Sequence, residues 1–431
     1  MLVDRSQSPP IRVPGELRVP APQRRWQLRN GIPVVSVGGA KQPLIRLEMI
    51  FRAGTPYERK RLVARATNSL MTEGASGRSS AEISEAFDFY GASLSRSYQF
   101  DSGNLIVYCL KRHLRELLPL LAEVVAVPDF PEFEIRSHAR RARQSLREKL
   151  SQSDILAYRE LTECVFGPDH PYGYNSFPKD YAGLRRDDIV EHHHRCYHAG
   201  NAMIVIAGQV DAEVERAVDD CLGDLPAQPA VPEPAPQAHA LRPDFRQTVR
   251  PGASQTSLRM GSLFARRDHP DYPGLYVLNN ILGGYFGSRL VRNIREEKGY
   301  TYDIYSSLDC MRFGGYSYIS ADLNNKSLPD ARRQIHFEME RLQNDLISPG
   351  ERELATNYLM GQLLSELDGS FNISDLFRTE CMENVAPDYF QRLIDAVRYT
   401  SPTELRDLAQ RYLSPGQFWE VVVGGAEVGV E

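Results

Sequence analysis

Self-similarity at a single offset constrains this chain more than any other feature. Tyr197, Gly200 and Gly208 recur as Tyr412, Gly416 and Gly424, at separations of 215, 216 and 216 residues. In each copy a helical segment (188–197 or 404–412) leads into a glycine turn and then a hydrophobic, strand-like run (203–208 or 418–424). A helix, turn and strand recurring in register point to a duplication, so the chain is expected to fold as two like halves. Between the copies, residues 226–243 are dense in proline, which favours a stiff, extended connector over a helix or a central strand. The 431 residues therefore divide into a Pro-rich arm (1–25), an N-terminal half (26–225), the connector (226–243) and a C-terminal half (244–431). Each half is long enough to close a core of its own.

Within a half the pattern is α+β. Residues 32–37 and 44–51 read as strands from their β-branched content and partial alternation. Leu62, Ala66 and Leu70 mark a helix. Ser79 with Glu82 forms a capping-box pattern, and the helix it opens is expected to stop at Gly91. Strands over 92–100 and 104–110 precede a Leu-rich helix (114–125) and a long polar helix (131–150). The second half repeats the outline, with a strand at 256–264, helices at 272–284 and 288–297, strands at 300–308 and 315–322, and further helices. Neighbouring strands joined by short turns imply a mainly antiparallel sheet in each half, with helices packed on a face.

Composition narrows the function. With 42% hydrophobic and 25% charged residues the chain is neither disordered nor fibrous. A net charge of −5 argues against a nucleic-acid partner. Of the 51 basic residues 44 are arginine, scattered and without a basic run. No stretch reaches the length needed to span a bilayer, and residues 1–10 lack the apolar core and cleavage site of a signal peptide. The six cysteines are far apart and contain no C-x-x-C pair, which suggests buried thiols in a reducing compartment. A cytoplasmic location is the expectation.

Three clusters could carry chemistry. His194 and His198 stand four apart in a run with His192 and His193, a spacing that on a helix can hold zinc. The plainer reading is a helix C-terminus whose imidazoles favour the dipole, since the repeat counterpart at 408–412 has no histidine. Gly283, Gly284 and Gly287 lack the G-K-[ST] ending of a phosphate loop and join two helices, so they fit a tight turn or a close approach. Arg295 lies in the last turn before Gly299, and Tyr302 follows seven residues later, with Tyr300 expected on the same strand face. A guanidinium and a phenol at such a junction suit a carbonyl oxygen that gains negative charge. The alternative is that Arg295 pairs with surface carboxylates such as Glu296 and Tyr302 packs in the core.

The segment 282–302, with its glycine turn, Ser-Arg-Leu, Ile-Arg-Glu-Glu-Lys-Gly and final Tyr, resembles the C-terminal signature of the pitrilysin/insulinase zinc peptidases (inverzincins). Phe51 to Gly54, Ser80 to Glu85, Tyr90 to Leu94 and Phe166 to Gly173 follow in family order. The resemblance implies H-x-x-E-H on the first helix of the first half, where two His bind zinc and the Glu activates water. Here those positions are Arg65, Asn68 and Ser69, and the downstream ligand would fall near Ser145, with Glu148 the nearest carboxylate. The chain is expected to bind no metal. Arg295 and Tyr302 match the family's pair that binds the scissile carbonyl.

In two-subunit members one chain supplies zinc and its sister this pair. The resemblance thus implies a zinc-free subunit of a heterodimeric peptidase, inert alone. Its partner would be a homologous H-x-x-E-H subunit carrying Zn, and its substrate unfolded peptide. Two alternatives stay open: a scaffold or peptide-holding subunit without a catalytic part, and an active homodimer using His194 and His198.

Overall fold

The structure, a computed structural model, describes residues 17–238 and 242–425. Residues 1–16 of the arm, 239–241 of the connector and the last six residues lie outside the described residues. Among the described residues eight strands belong to the first half, the first of them starting in the last two residues of the arm: β1 (Arg24–Gln27), β2 (Pro33–Val37), β3 (Leu44–Phe51), β4 (Gly74–Ala75), β5 (Arg78–Ser79), β6 (Ser93–Tyr98), β7 (Gly103–Leu110) and β8 (Ala202–Gly208). Five belong to the second: β9 (Phe245–Val249), β10 (Gln255–Phe264), β11 (Ile304–Met311), β12 (Gly314–Asn324) and β13 (Trp419–Gly424). The first sheet runs β1-β2-β8-β3-β7-β6 and the second β9-β13-β10-β12-β11, with β4 and β5 forming a separate hairpin. Apart from the extra edge strand β1, the two orders are the same. Among the described residues only one pair in each is parallel, β2 with β8 and β9 with β13. The duplication is therefore structural.

The repeated landmarks occupy equivalent places. Gly208 pairs with Ile45 at the end of β8, and Gly424 with Thr256 at the end of β13. A side chain at either glycine would run into the neighbouring strand, at Leu44 or at Thr256. Gly200 and Gly416 lie in matching 3-10 turns, Ala199–Asn201 and Pro415–Gln417.

One face of each sheet packs against helices of its own half. Alternate residues of β3 (Ile45, Leu47, Met49, Phe51) enter the first core with Leu117, Leu121, Val214 and Val218 from two helices. Leu258 and Met260 of β10 do the same in the second core, with Ile335, Met339 and Leu405. The opposite faces are covered reciprocally. Helix Ser153–Phe166 of the first half lies on β10 and β13, burying Leu161 and Val165 against Val421 and Val423. Helix Gly369–Glu383, 216 residues later, lies on β2 and β8, where Phe377 meets Val35, Val37 and Ala207. Each half thus lends a helix to the other's sheet, which the sequence pattern did not reveal. Gly261 permits the close approach of Leu161, since a Cβ there would lie 2.9 Å from its methyl.

Most expected elements form close to their expected bounds. Both reciprocal bonds of the Ser79/Glu82 capping box are made, and Gly91 adopts a φ of 61° after the helix ends. Two differences bear on residues with candidate roles. Strand β11 begins at Ile304, so Tyr300 and Tyr302 are in the loop before it and share no strand face. The Thr301 side chain explains the delay, accepting from the Asp303 N–H at 3.1 Å and donating to the Asp322 carbonyl at 2.6 Å. The arginines are also not scattered everywhere. Arg136, Arg140, Arg143 and Arg147 on helix Glu132–Lys149 line one groove beside Tyr181 and Leu184, gathered by the helical period.

Candidate functional site

Arg295 lies in a seven-residue π-helical stretch, Val291–Glu297, preceded by another, Asn280–Gly284, at the end of helix Tyr272–Asn279. The sequence reads both regions as ordinary helix. Side chains that engage the ladder account for the first widening: Ser306 on β11 donates to the Asn279 carbonyl at 3.0 Å. Gly283 sits so close to β11 that a Cβ would lie 2.6 Å from the Ser306 nitrogen, which is the close approach its glycine allows. The second stretch is fastened by buried polar contacts. Asn293 donates to Glu338 at 2.7 Å, and Arg289 grips Glu351 through two bonds of 2.8 and 3.0 Å. Gly299 then takes a φ of 65°, as expected of a left-handed cap.

On this frame the Arg295 guanidinium stacks 4.8 Å above the ring of Phe286, itself 62% exposed in the turn that follows Gly284. Tyr302 is 90% exposed. Neither side chain has a hydrogen-bond or ion-pair partner among the described residues, so the bland alternative of a carboxylate-paired Arg and a core-packed Tyr is not what forms. Tyr300, by contrast, donates to Asp330 at 2.7 Å. Phe286 escapes sequence reasoning because it looks like turn filler; only its place under a guanidinium gives it a role.

Arg65, Asn68 and Ser69 lie on helix Val63–Leu70, with Leu62 before it at a φ of 74°. Asn68, 1% exposed, donates to the Asn104 carbonyl at 3.2 Å. Ser69 offers its carbonyl to Arg96, and Arg65 is exposed over the Tyr98 ring at 5.2 Å. These positions do not fit zinc: one is a permanent cation, one a tied amide, and none an imidazole. Glu148 is exposed and bonded to Gln144 at 2.8 Å, and Ser145 is exposed too. Among the described residues no group of three His, Cys, Asp or Glu gathers as a metal site would require.

The histidine run has a structural job. His192 shares a 3.1 Å hydrogen bond with the Ala53 carbonyl and His193 a 2.8 Å bond with that of Val125. Burial pushes both down to about 4, so they act as neutral donors and not as charges on the helix dipole, contrary to the sequence expectation. The helix ends at Cys196. His198 therefore lies beyond it, bonded to the Arg195 carbonyl at 3.1 Å, while His194 is exposed, and the two do not share a helical face.

A cleft of about 470 Å³ opens between the halves, bounded by Arg65, the β6–β7 turn, the end of β11 and helix Gly369–Glu383. Arg295 and Tyr302 are not among its lining residues. A smaller cavity of about 190 Å³ adjoins it and shares Arg65, Tyr98 and Phe100. Glu58, in its wall, caps helix Val63–Leu70 by accepting from the Ala64 N–H at 3.0 Å and from the Tyr174 hydroxyl. Burial raises its carboxyl to about 6.

Comparison with known proteins agrees with this geometry. Residues 183–359 match the family model described as the Peptidase M16 inactive domain. The zinc protease YmxG of Bacillus subtilis, itself uncharacterized, is 22% identical over 352 residues, 80% of this chain and 85% of the relative. An uncharacterized zinc protease of Mycobacterium tuberculosis is 26% identical over 70% of both chains, and a Helicobacter pylori relative termed a non-peptidase homolog is 21% identical over 64% of both. Among solved structures, a peptidase M16 inactive domain from Pseudomonas fluorescens superposes with a TM-score of 0.87 at 24% identity, covering 95% of this chain and 99% of that one. A Helicobacter pylori protease gives 0.84 at 19% identity, covering 94% and 100%. Residues 183–359 thus match the Peptidase M16 inactive domain, and over most of its length the chain is similar to these relatives and shares the α+β fold of the M16-like structures.

Proposed function

We propose that the chain is the non-catalytic, zinc-free subunit of a two-chain peptidase and presents Arg295 and Tyr302 to a composite active site. The observation that carries the reading is that neither side chain has a hydrogen-bond or ion-pair partner among the described residues, Tyr302 being 90% exposed and Arg295 half-buried on Phe286, on a π-helical turn and loop otherwise held by polar contacts. A structural arginine would be paired, and a structural tyrosine packed. Stacked on Phe286, the guanidinium is held with its N–H edge free, and the phenol adds a second donor. Two donors without internal hydrogen-bond partners can receive a peptide carbonyl and the charge it gains, while a homologous H-x-x-E-H sister subunit supplies zinc from the facing wall. The substrate would be an unfolded peptide and the domain division 26–225 and 244–431. Among the described residues no helix is long and apolar enough to cross a membrane, and the six cysteines are free, which suits a cytoplasmic setting.

The test is reconstitution with an H-x-x-E-H sister chain and kinetics on a fluorogenic peptide. Arg295→Ala and Tyr302→Phe are each expected to lower kcat/KM by about 10²-fold or more, with heterodimer formation intact. Unchanged kcat/KM in both variants overturns the proposal. A second reading, a peptide-holding subunit with no catalytic part, is favoured by the non-peptidase name of the Helicobacter relative. It predicts a partner without any zinc motif and no kinetic effect at either position.

A further inference from the structure

The cleft between the halves is lined by several charged groups, and all but one are engaged. Arg267 binds Glu383 at 2.7 Å and the Tyr272 hydroxyl at 2.9 Å. Arg378 donates to Gln99 at 2.6 Å and lies 3.9 Å from both Glu48 and Asp375. Asp101 accepts from the Tyr172 hydroxyl and from the Arg312 backbone at 3.1 Å. Asp309 accepts from Ser307 and Tyr316, both at 3.0 Å. Arg65 alone among them has no hydrogen bond or ion pair among the described residues, and it stands where the large cleft and the smaller cavity meet.

Its guanidinium is nevertheless placed. It stacks on Tyr98 at 5.2 Å, and the Tyr98 ring is fixed by a 2.5 Å hydrogen bond between its hydroxyl and Thr55. A stacked guanidinium keeps its donor edge in plane and free, the geometry that accepts a carboxylate through two parallel bonds. The fixed carboxylates of Asp101, Asp309 and Glu383 on the same walls disfavour a doubly charged anion such as phosphate. Leu308, Met311, Met382 and the half-exposed Phe100 add apolar side chains to a wall that also holds Gln99, Ser102 and Thr379, which suits a hydrophobic residue beside the charge.

We propose that Arg65 holds a peptide carboxylate in the cleft between the halves, so that the chain binds peptides by an acidic end. The site is separate from Arg295 and Tyr302 and stands whether or not their role in a partner's reaction holds.

Binding by fluorescence anisotropy to the full chain tests this with three labelled heptapeptides. One ends in Phe as the free acid, one is its C-terminal amide, and one is an amide ending in Glu. The free acid, the Glu amide or both are expected to bind at least 10-fold more tightly than the Phe amide. Which of them does so tells an α-carboxylate from a side-chain carboxylate. Arg65→Gln is expected to erase that preference without changing binding of the Phe amide, and Arg65→Lys to retain part of it. Because Arg65 is exposed, both variants should keep the wild-type unfolding midpoint. No binding, equal binding of all three peptides, or a preference that survives Arg65→Gln overturns the proposal.

Discussion

The reciprocal helix exchange makes a sharp prediction at Arg46. This residue, on the face of β3 opposite the first core, reaches helix Gly369–Glu383 of the other half. It donates to the Phe371 carbonyl and the Ser374 hydroxyl, both at 3.1 Å, to Asp375 at 2.7 Å, and to its strand neighbour Glu48 at 2.9 Å. Glu48 is 2% exposed, and burial raises its carboxyl above the ordinary range, opposed by Arg378 and Arg46. Arg46→Met removes the close cation and leaves Glu48 with an Asn104 donor at 2.8 Å and Arg378 at 3.9 Å. Breaking one side of a buried pair costs about 3–5 kcal/mol. Glu48→Gln leaves Arg46 bonded to the helix and keeps an acceptor for Asn104, so its cost is about 1 kcal/mol. The double variant Arg46→Met/Glu48→Gln buries no orphan charge and should be more stable than Arg46→Met alone.

Urea unfolding at pH 7.5 measures this, with a reporter in each sheet: Trp26 on β1 and Trp419 on β13. In Arg46→Met the Trp26 transition should move to lower urea than the Trp419 transition, because the lost contacts anchor the covering helix to the first sheet. Acidification to pH 5.5 should shrink the deficit, since Glu48 can take up a proton in place of its lost partner. A double variant as unstable as Arg46→Met, or a deficit that does not depend on pH, refutes the reasoning.

Other perturbations act through single contacts. Asn68→Glu replaces a donor to the Asn104 carbonyl by a buried acceptor, at a cost of about 1–3 kcal/mol that should lessen at pH 5, when the protonated carboxyl can donate; a loss equal at pH 5 and pH 8 counts against it. His192 and His193, held near 4 against about 6.5 when unfolded, each lose up to about 3 kcal/mol as pH falls from above 6.5 through 4. Glu58, held near 6, works in the opposite sense: its contribution is complete below about 4.5 and is lost as pH rises through 6, about 2 kcal/mol in all. The histidines outweigh it, so the Trp26 unfolding midpoint should drop between pH 7 and 4, and drop less in His193→Gln. Gly208→Ala and Gly424→Ala should each destabilise by about 1–3 kcal/mol or more, read as urea midpoints; a silent Gly424→Ala contradicts its tight fit against Thr256. Dialysis against EDTA should leave the thermal midpoint unchanged.

What was legible in the sequence was local or repeated. Strand β3 is found at its expected limits because alternate residues face one core, and the Ser79/Glu82 box is a contact between residues three apart. The duplication was readable from three landmarks, of which Gly208 and Gly424 end strands where a Cβ would strike the neighbouring strand, whereas Gly416, unlike Gly200, leaves open space. The exchanged helices were not readable. Helix Ser153–Phe166 carries apolar residues that satisfy any sheet, and nothing in its pattern says which half it covers. Equally hidden were the π-helical turns, which differ from α-helix only in where a carbonyl finds its donor, and the start of β11, delayed by one threonine hydroxyl.

The candidate site was legible only where chemistry rests on residue type. Arg65, Asn68 and Ser69, the positions to which the resemblance assigns the zinc motif, show by identity alone that they are no ligand set, yet not what they do instead: a carbonyl tie at Asn68 and a ring-stacked cation at Arg65. Helix Val63–Leu70 is capped by Glu58, seated by Asn68 and packed through Ala66 and Leu70 into the first core, so no contact that holds it depends on an ion. Arg65 is the exception, because its guanidinium stacks on Tyr98 but makes no hydrogen bond or ion pair among the described residues. A residue that contributes so little to the helix it stands on is free to be read by a ligand, just as Tyr302, 90% exposed, is free for a partner.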